Sequence, residues 1–154
     1  MEYFITVILP QVTAAMLGTV AFAVLFGVPG RFFGYCAVVG GAGWLSFLLC
    51  EGLMRKNFAI FIATVVVVFL SRIFAVRMKC PATIFLVTGI FTLVPGGDLY
   101  RMAYHSVMGE LMAARVAGTA AIGAAVAIVL GIVVVFEIPQ RFFGLPASGS
   151  CTKQ

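Results

Sequence analysis

Long apolar runs, separated by short clusters of basic residues, glycine and proline, set the pattern of this chain. Phe4 to Val28, Phe32 to Met54, Phe58 to Val76 and Val116 to Phe136 each supply the roughly 20 apolar residues a helix needs to cross a hydrocarbon core of about 30 Å. A further run, Pro81 to Val94, is shorter; at about 1.5 Å per residue it reaches roughly 21 Å into a bilayer. Pro81 suits a first helical turn, and Arg77 with Lys79 anchors that start at the headgroups. The run stops at Pro95, Gly96, Gly97 and Asp98, residues poorly suited to continuing a helix. Leu99 to Arg115 then reads as a second helix of mixed polarity, with Asp98 as its N-cap. On that helix Asp98, Arg101 and His105 share one face. The pattern predicts an all-α integral membrane protein with about five transmembrane segments, near 4–28, 32–54, 58–76, 81–94 and 116–136. The fourth is short and broken at Pro95–Gly97, and a mixed-polarity helix over 99–115 follows it. Residues 1–144 form one transmembrane domain, and residues 145–154 a polar tail.

Composition strengthens this picture. Of 154 residues 63% are hydrophobic and 10% charged, with mean hydropathy +1.18, more apolar surface than one soluble core of this length can hide. The net charge of +5 does not point to nucleic acid, because the basic residues stand in ones and twos at the ends of apolar runs. Arg31, Arg77, Lys79, Arg141 and Lys153 fall on one predicted side, and Arg55, Lys56, Arg101 and Arg115 on the other. The positive-inside rule then favours a cytoplasmic C-terminus. The first run lacks a basic leader and a clear cleavage site, so it is expected to be a retained helix. Cys36, Cys50, Cys80 and Cys151 show no CxxC spacing and read as buried or interfacial thiols, with no metal site. No HExxH, GxSxG, P-loop or paired carboxylates appear, so neither an enzyme nor a cofactor is expected.

The break carries the strongest functional signal. Bare backbone groups in hydrocarbon cost several kcal/mol each and persist only where protein or water meets them. Transporters build solute sites at such breaks, with a half-helix N-terminus facing an anionic group. Gly96 and Gly97 expose the backbone just where the second half begins, so a carboxylate could dock there. The alternative is an ordinary turn at the far interface, reached by tilt or thinning. Arg72, inside the third run, either faces a partner or snorkels to the headgroups. His105, the one histidine, is a candidate proton carrier or an interfacial hydrogen-bonding residue. Asp98 and Glu110 are the other titratable candidates; the alternatives are that Asp98 simply caps and that Glu110 simply pairs with Arg115 or faces water. Glu51 reads as interfacial and Trp44 as helix packing. Gly123, Ala127 and Gly131, with Ala117, Ala121 and Ala125, recur every four residues and invite close approach of another helix. "FGVPGRFFG" (26–34) and "FEIPQRFFG" (136–144) form a short repeat, read as one interface device used twice or as a trace of duplication.

The stretch "SRIFAVRMKCPATIFLVTGIFTLVPGGDLYRMAYHSVMGE" (71–110) resembles the core of the threonine/serine exporter family. In its small-subunit members an Arg near the end of the third helix precedes a Pro, an apolar run and a "PLVPG…Y" signature. Here Thr92 stands where the family often has Pro, and Leu93-Val94-Pro95-Gly96 with Tyr100 follow. "FAVLFGVPGRFFGYCAVVGGAGW" (22–44) is similar to the family's F-x-VP junction and Gly-rich helix. The resemblance implies secondary export of threonine and serine or, in split systems, of succinate. It also implies that this chain is the second half of a transporter whose first half is a separate, larger membrane subunit. An odd number of segments agrees, since it inverts two consecutive halves. The matching residues are Arg72, Pro95, Gly96 and Tyr100; Gly97, Asp98 and Arg101 come from the physical reading. The expected setting is a bacterial cytoplasmic membrane, with proton coupling. A homo-oligomer and a non-transporting scaffold for the larger subunit are the rival expectations.

Overall fold

A computed structural model describes residues 8–138, and every element in it is helical. Six α-helices follow one another: α1 (Leu9–Leu25), α2 (Phe33–Glu51), α3 (Lys56–Met78), α4 (Thr83–Ile90), α5 (Gly96–Val107) and α6 (Leu111–Glu137). One 3-10 turn, Gly30–Phe32, leads into α2, and another, Phe91–Leu93, ends α4. Among the described residues three helices are long and apolar enough to cross a membrane: α2 with its leading turn, α3 and α6. A fourth arises if α4 and α5, bent by 47° at their junction, are one broken span. α1 is a shorter apolar helix, and its run in the sequence begins before the described residues.

The bundle closes on small residues. An added Cβ at Gly40 would strike Thr19 of α1, one at Gly43 would strike Val67 of α3, and one at Gly89 would strike both Val39 and Val67. Backbones therefore approach closely, as helices in lipid must when packing rather than the hydrophobic effect holds them. Phe85 is fully buried at the centre, edge-on to Phe32 at 5.7 Å and beside Tyr35 and Phe74. Buried hydroxyls stay satisfied within their own helices: Thr19, Thr64 and Ser71 each donate to the carbonyl four residues back.

α3 and α6 run side by side in the same direction. Gly123 faces Asn57, Gly131 faces Thr64 and the Phe61 carbonyl, and Arg72 reaches Val135 and Ile138. The part of α6 before Gly123 consequently extends past the start of α3, and α5 packs on it, with Met102 against Gly118. Lys56 contacts Asp98 and its neighbour Asn57 meets Gly123, so the start of α5 lies roughly 10 Å inside the Val116 end of the apolar run, at 1.5 Å per residue. The break thus lies level with the start of α3, about two turns along α6 from Val116.

Several boundaries differ from the sequence pattern. The helix expected over 99–115 is two pieces. α5 starts at Gly96, with Pro95 at its cap, and ends at Val107. Gly109, at φ +80, then takes the left-handed conformation, and Glu110 N–H donates back to the His105 carbonyl at 2.9 Å while Gly109 N–H donates to Ser106. That is a Schellman closure, and Gly109 is the residue type that permits it. Arg115 therefore belongs to α6. Asp98 is not the N-cap: it lies within the first turn of α5 and makes no capping bond. The first copy of the repeat closes α1 in the same way, through Gly27 at φ +67 and a bond from Val28 N–H to the Ala23 carbonyl. The second copy from Pro139 onward, Cys151 and the tail lie outside the described residues. Ala125, grouped by spacing with Ala117 and Ala121, is exposed while those two are buried.

Gly131→Ala should destabilise the protein by about 1–3 kcal/mol, since its Cβ would lie 2.9 Å from Thr64 Cβ and 3.2 Å from a backbone oxygen that cannot move aside. Gly34→Ala, whose Cβ meets nothing within 4 Å, is the control. Thermal unfolding in detergent should separate the two.

Candidate functional site

Proline makes the break and glycine exposes it. Pro95 has φ −76 and ψ 56, and Gly96 N–H donates to the Val94 carbonyl at 2.7 Å, an inverse γ-turn. Leu99 N–H donates to the Pro95 carbonyl at 3.0 Å and starts α5. The amides of Gly97 and Asp98, in that first turn, have no carbonyl one turn back. On the other side of the break the Thr92 hydroxyl donates to the Gly89 carbonyl at 2.8 Å. A Cβ added at Gly96 or Gly97 would meet nothing within 4 Å, so both border open space.

That space is a cavity of about 290 Å³. α2 contributes Trp44, Phe47 and Glu51; α3 contributes Lys56 and Ile60; the broken segment supplies Thr92 through Asp98, and α5 adds Arg101. Lys56 Nζ donates to Asp98 Oδ2 at 2.6 Å, and Arg101 Nη1 lies 3.8 Å from Oδ1. Asp98 is 8% exposed, a nearly buried carboxylate held between two cations from different helices. Its place in the first turn also aligns it with the positive end of the α5 dipole. Trp44 stacks obliquely on Phe47 at 5.3 Å, and its buried indole N–H has no acceptor among the described residues. The cavity thus combines an ion pair with first-turn amides.

Of the residues singled out by sequence, Pro95, Gly96, Gly97, Asp98 and Arg101 come together on this wall. Others are placed elsewhere. Arg72 Nη1 donates to the carbonyls of Val135 at 2.6 Å and Ile138 at 3.0 Å, and its guanidinium lies 5.3 Å from the Phe136 ring. It caps the end of α6, away from the cavity wall. Tyr100 is 71% exposed and stacks on Tyr104. His105 Nδ1 and Glu110 Oε2 meet at 2.6 Å across the α5–α6 turn, so Glu110 pairs with His105 and not with Arg115. Gly123 and Ala127 line a separate apolar groove of about 480 Å³ with Asn57, Phe58 and Phe61. Lys56 is the wall cation that the sequence did not single out as a site residue. It stands 42 positions from Asp98, and at a helix end its charge reads as a headgroup anchor.

Membrane-crossing helices around a span broken beside a polar cavity define a multi-pass membrane protein with the architecture of a transporter. A family model described as "Threonine/Serine exporter, ThrE" matches residues 11–138, most of the chain, and the protein belongs to that exporter family. Neither a curated protein nor a solved structure matches it.

Arg72→Gln should cost about 1.5–3 kcal/mol, the range for hydrogen bonds to a charged group, and expose the amides near Val135 and Ile138. Hydrogen exchange at the end of α6 measures the second effect. Solute selectivity should not change, because Arg72 is outside the cavity.

Proposed function

We propose that this chain is the small, second-half subunit of a two-component secondary exporter in a bacterial cytoplasmic membrane. With a larger membrane subunit it moves a small carboxylate-bearing solute, threonine or serine, outward, driven by the proton gradient. The observation that carries this reading is the cavity at the break, where bare first-turn amides stand beside Lys56, Asp98 and Arg101. Its volume suits a small solute, being at the lower end of the roughly 300–1,000 Å³ common for such sites. A solute carboxylate would meet the Gly97 amide and a cation, the chemistry that half-helix termini offer in transporters. Of the proton-coupling candidates Asp98, His105 and Glu110, Asp98 is the one on the cavity wall, and we assign the proton to it.

Membership of the exporter family supports the transport class over a passive scaffold. The test uses cells carrying both subunits, with efflux of threonine and serine measured in the medium. Gly96→Leu and Gly97→Leu send side chains into open space, so the fold and expression should persist while efflux falls at least about tenfold. Unchanged efflux from normally expressed variants rejects the site. Dissipating the proton gradient should abolish efflux by the wild type.

A further inference from the structure

The cavity walls carry Glu51, Lys56, Asp98 and Arg101, two anions and two cations. A free carboxylate entering this balanced set brings an uncompensated charge next to Asp98, and a dicarboxylate brings two. Beside the nearly buried Asp98 carboxylate such a charge is costly. A zwitterion brings none.

The ion pair is also built asymmetrically. The Asp98 side chain is 10% exposed and fixed in the first turn of α5, whereas that of Lys56 is 47% exposed on a flexible stem from α3. Lys56 can exchange the Asp98 carboxylate for another and remain paired throughout. Asp98 can exchange the Lys56 ammonium for another and remain paired too, with Arg101 still 3.8 Å away.

We infer that the Lys56–Asp98 pair opens to receive both charged ends of an α-amino acid, Lys56 taking the carboxylate and Asp98 the ammonium. In the empty cavity the two side chains stand in for the solute's own charges. This deepens the proposed function and rests on its reading of the cavity as the transport site. It makes Lys56 and Asp98 the residues that select zwitterions over dicarboxylates.

Everted membrane vesicles from cells carrying this chain and its larger subunit provide the test, by uptake of radiolabelled L-threonine. Competitors are unlabelled L-threonine, N-acetyl-L-threonine, L-threoninamide and succinate. In the wild type, unlabelled threonine should compete at least about tenfold better than the other three, since each of those leaves one charge of the pair unmatched. Asp98→Asn should shift the ratio toward N-acetyl-L-threonine by about tenfold, and Lys56→Gln should shift it equally toward L-threoninamide. The double variant, with neutral balance restored, should bind threonine weakly and favour neither analogue. Ratios within one vesicle preparation do not depend on expression level, so reduced assembly of a variant does not mimic the result. Should a variant fail to assemble at all, the wild-type ranking decides: succinate or N-acetyl-L-threonine competing as well as threonine overturns the inference. Uptake with ratios unchanged by either variant overturns it as well, leaving the transport reading intact. No threonine uptake in the wild type overturns both.

Discussion

Inside a bilayer a peptide group with no hydrogen-bond partner costs several kcal/mol, and this constraint governs how the chain is built around Pro95. A proline there removes one donor, and the turn it forces leaves the amides of Gly97 and Asp98 without carbonyls behind them. The structure meets part of this demand locally. Gly96 N–H bonds to Val94 within the turn, and the Thr92 hydroxyl takes the Gly89 carbonyl. The remainder faces a cavity with charged walls, which keeps polar groups out of contact with hydrocarbon. The 47° bend between α4 and α5 is the visible consequence.

The rest of the bundle holds that cavity in place. Close contacts at Gly40, Gly43 and Gly89 bring α1, α2, α3 and α4 together, and Gly131 does the same for α3 and α6. Because α3 and α6 run in one direction with α6 displaced toward its own start, α5 has a surface to pack on beyond the start of α3. Lys56 and Asp98 then become neighbours, although they belong to helices joined only through α4. Arg72 fixes the opposite end of the same helix pair by bonding to the last carbonyls of α6. Charged residues within this chain consequently serve two ends of one interface, one structural and one beside the cavity.

The all-helical class, the membrane setting, the apolar runs and the break at Pro95–Gly97 were legible in the sequence because each follows from local chemistry. Run length sets spanning capacity, and proline with paired glycine interrupts a helix whatever surrounds it. Gly109 carries an equally local signal: the polarity pattern predicts a helix continuing to Arg115, and the left-handed glycine ends α5 at Val107. Partnerships were not legible. Arg72 had two credible fates at the level of sequence, and which carbonyls it reaches depends on where α6 ends in space. The same holds for Glu110, whose partner is settled by the reversal at Gly109 that turns it back toward His105. What the sequence determined by itself is therefore where the chain enters lipid and where it must bend. Only the tertiary structure decided that Lys56 pairs with Asp98, because the parallel register of α3 and α6 is fixed by close packing of small residues and leaves no trace in local composition.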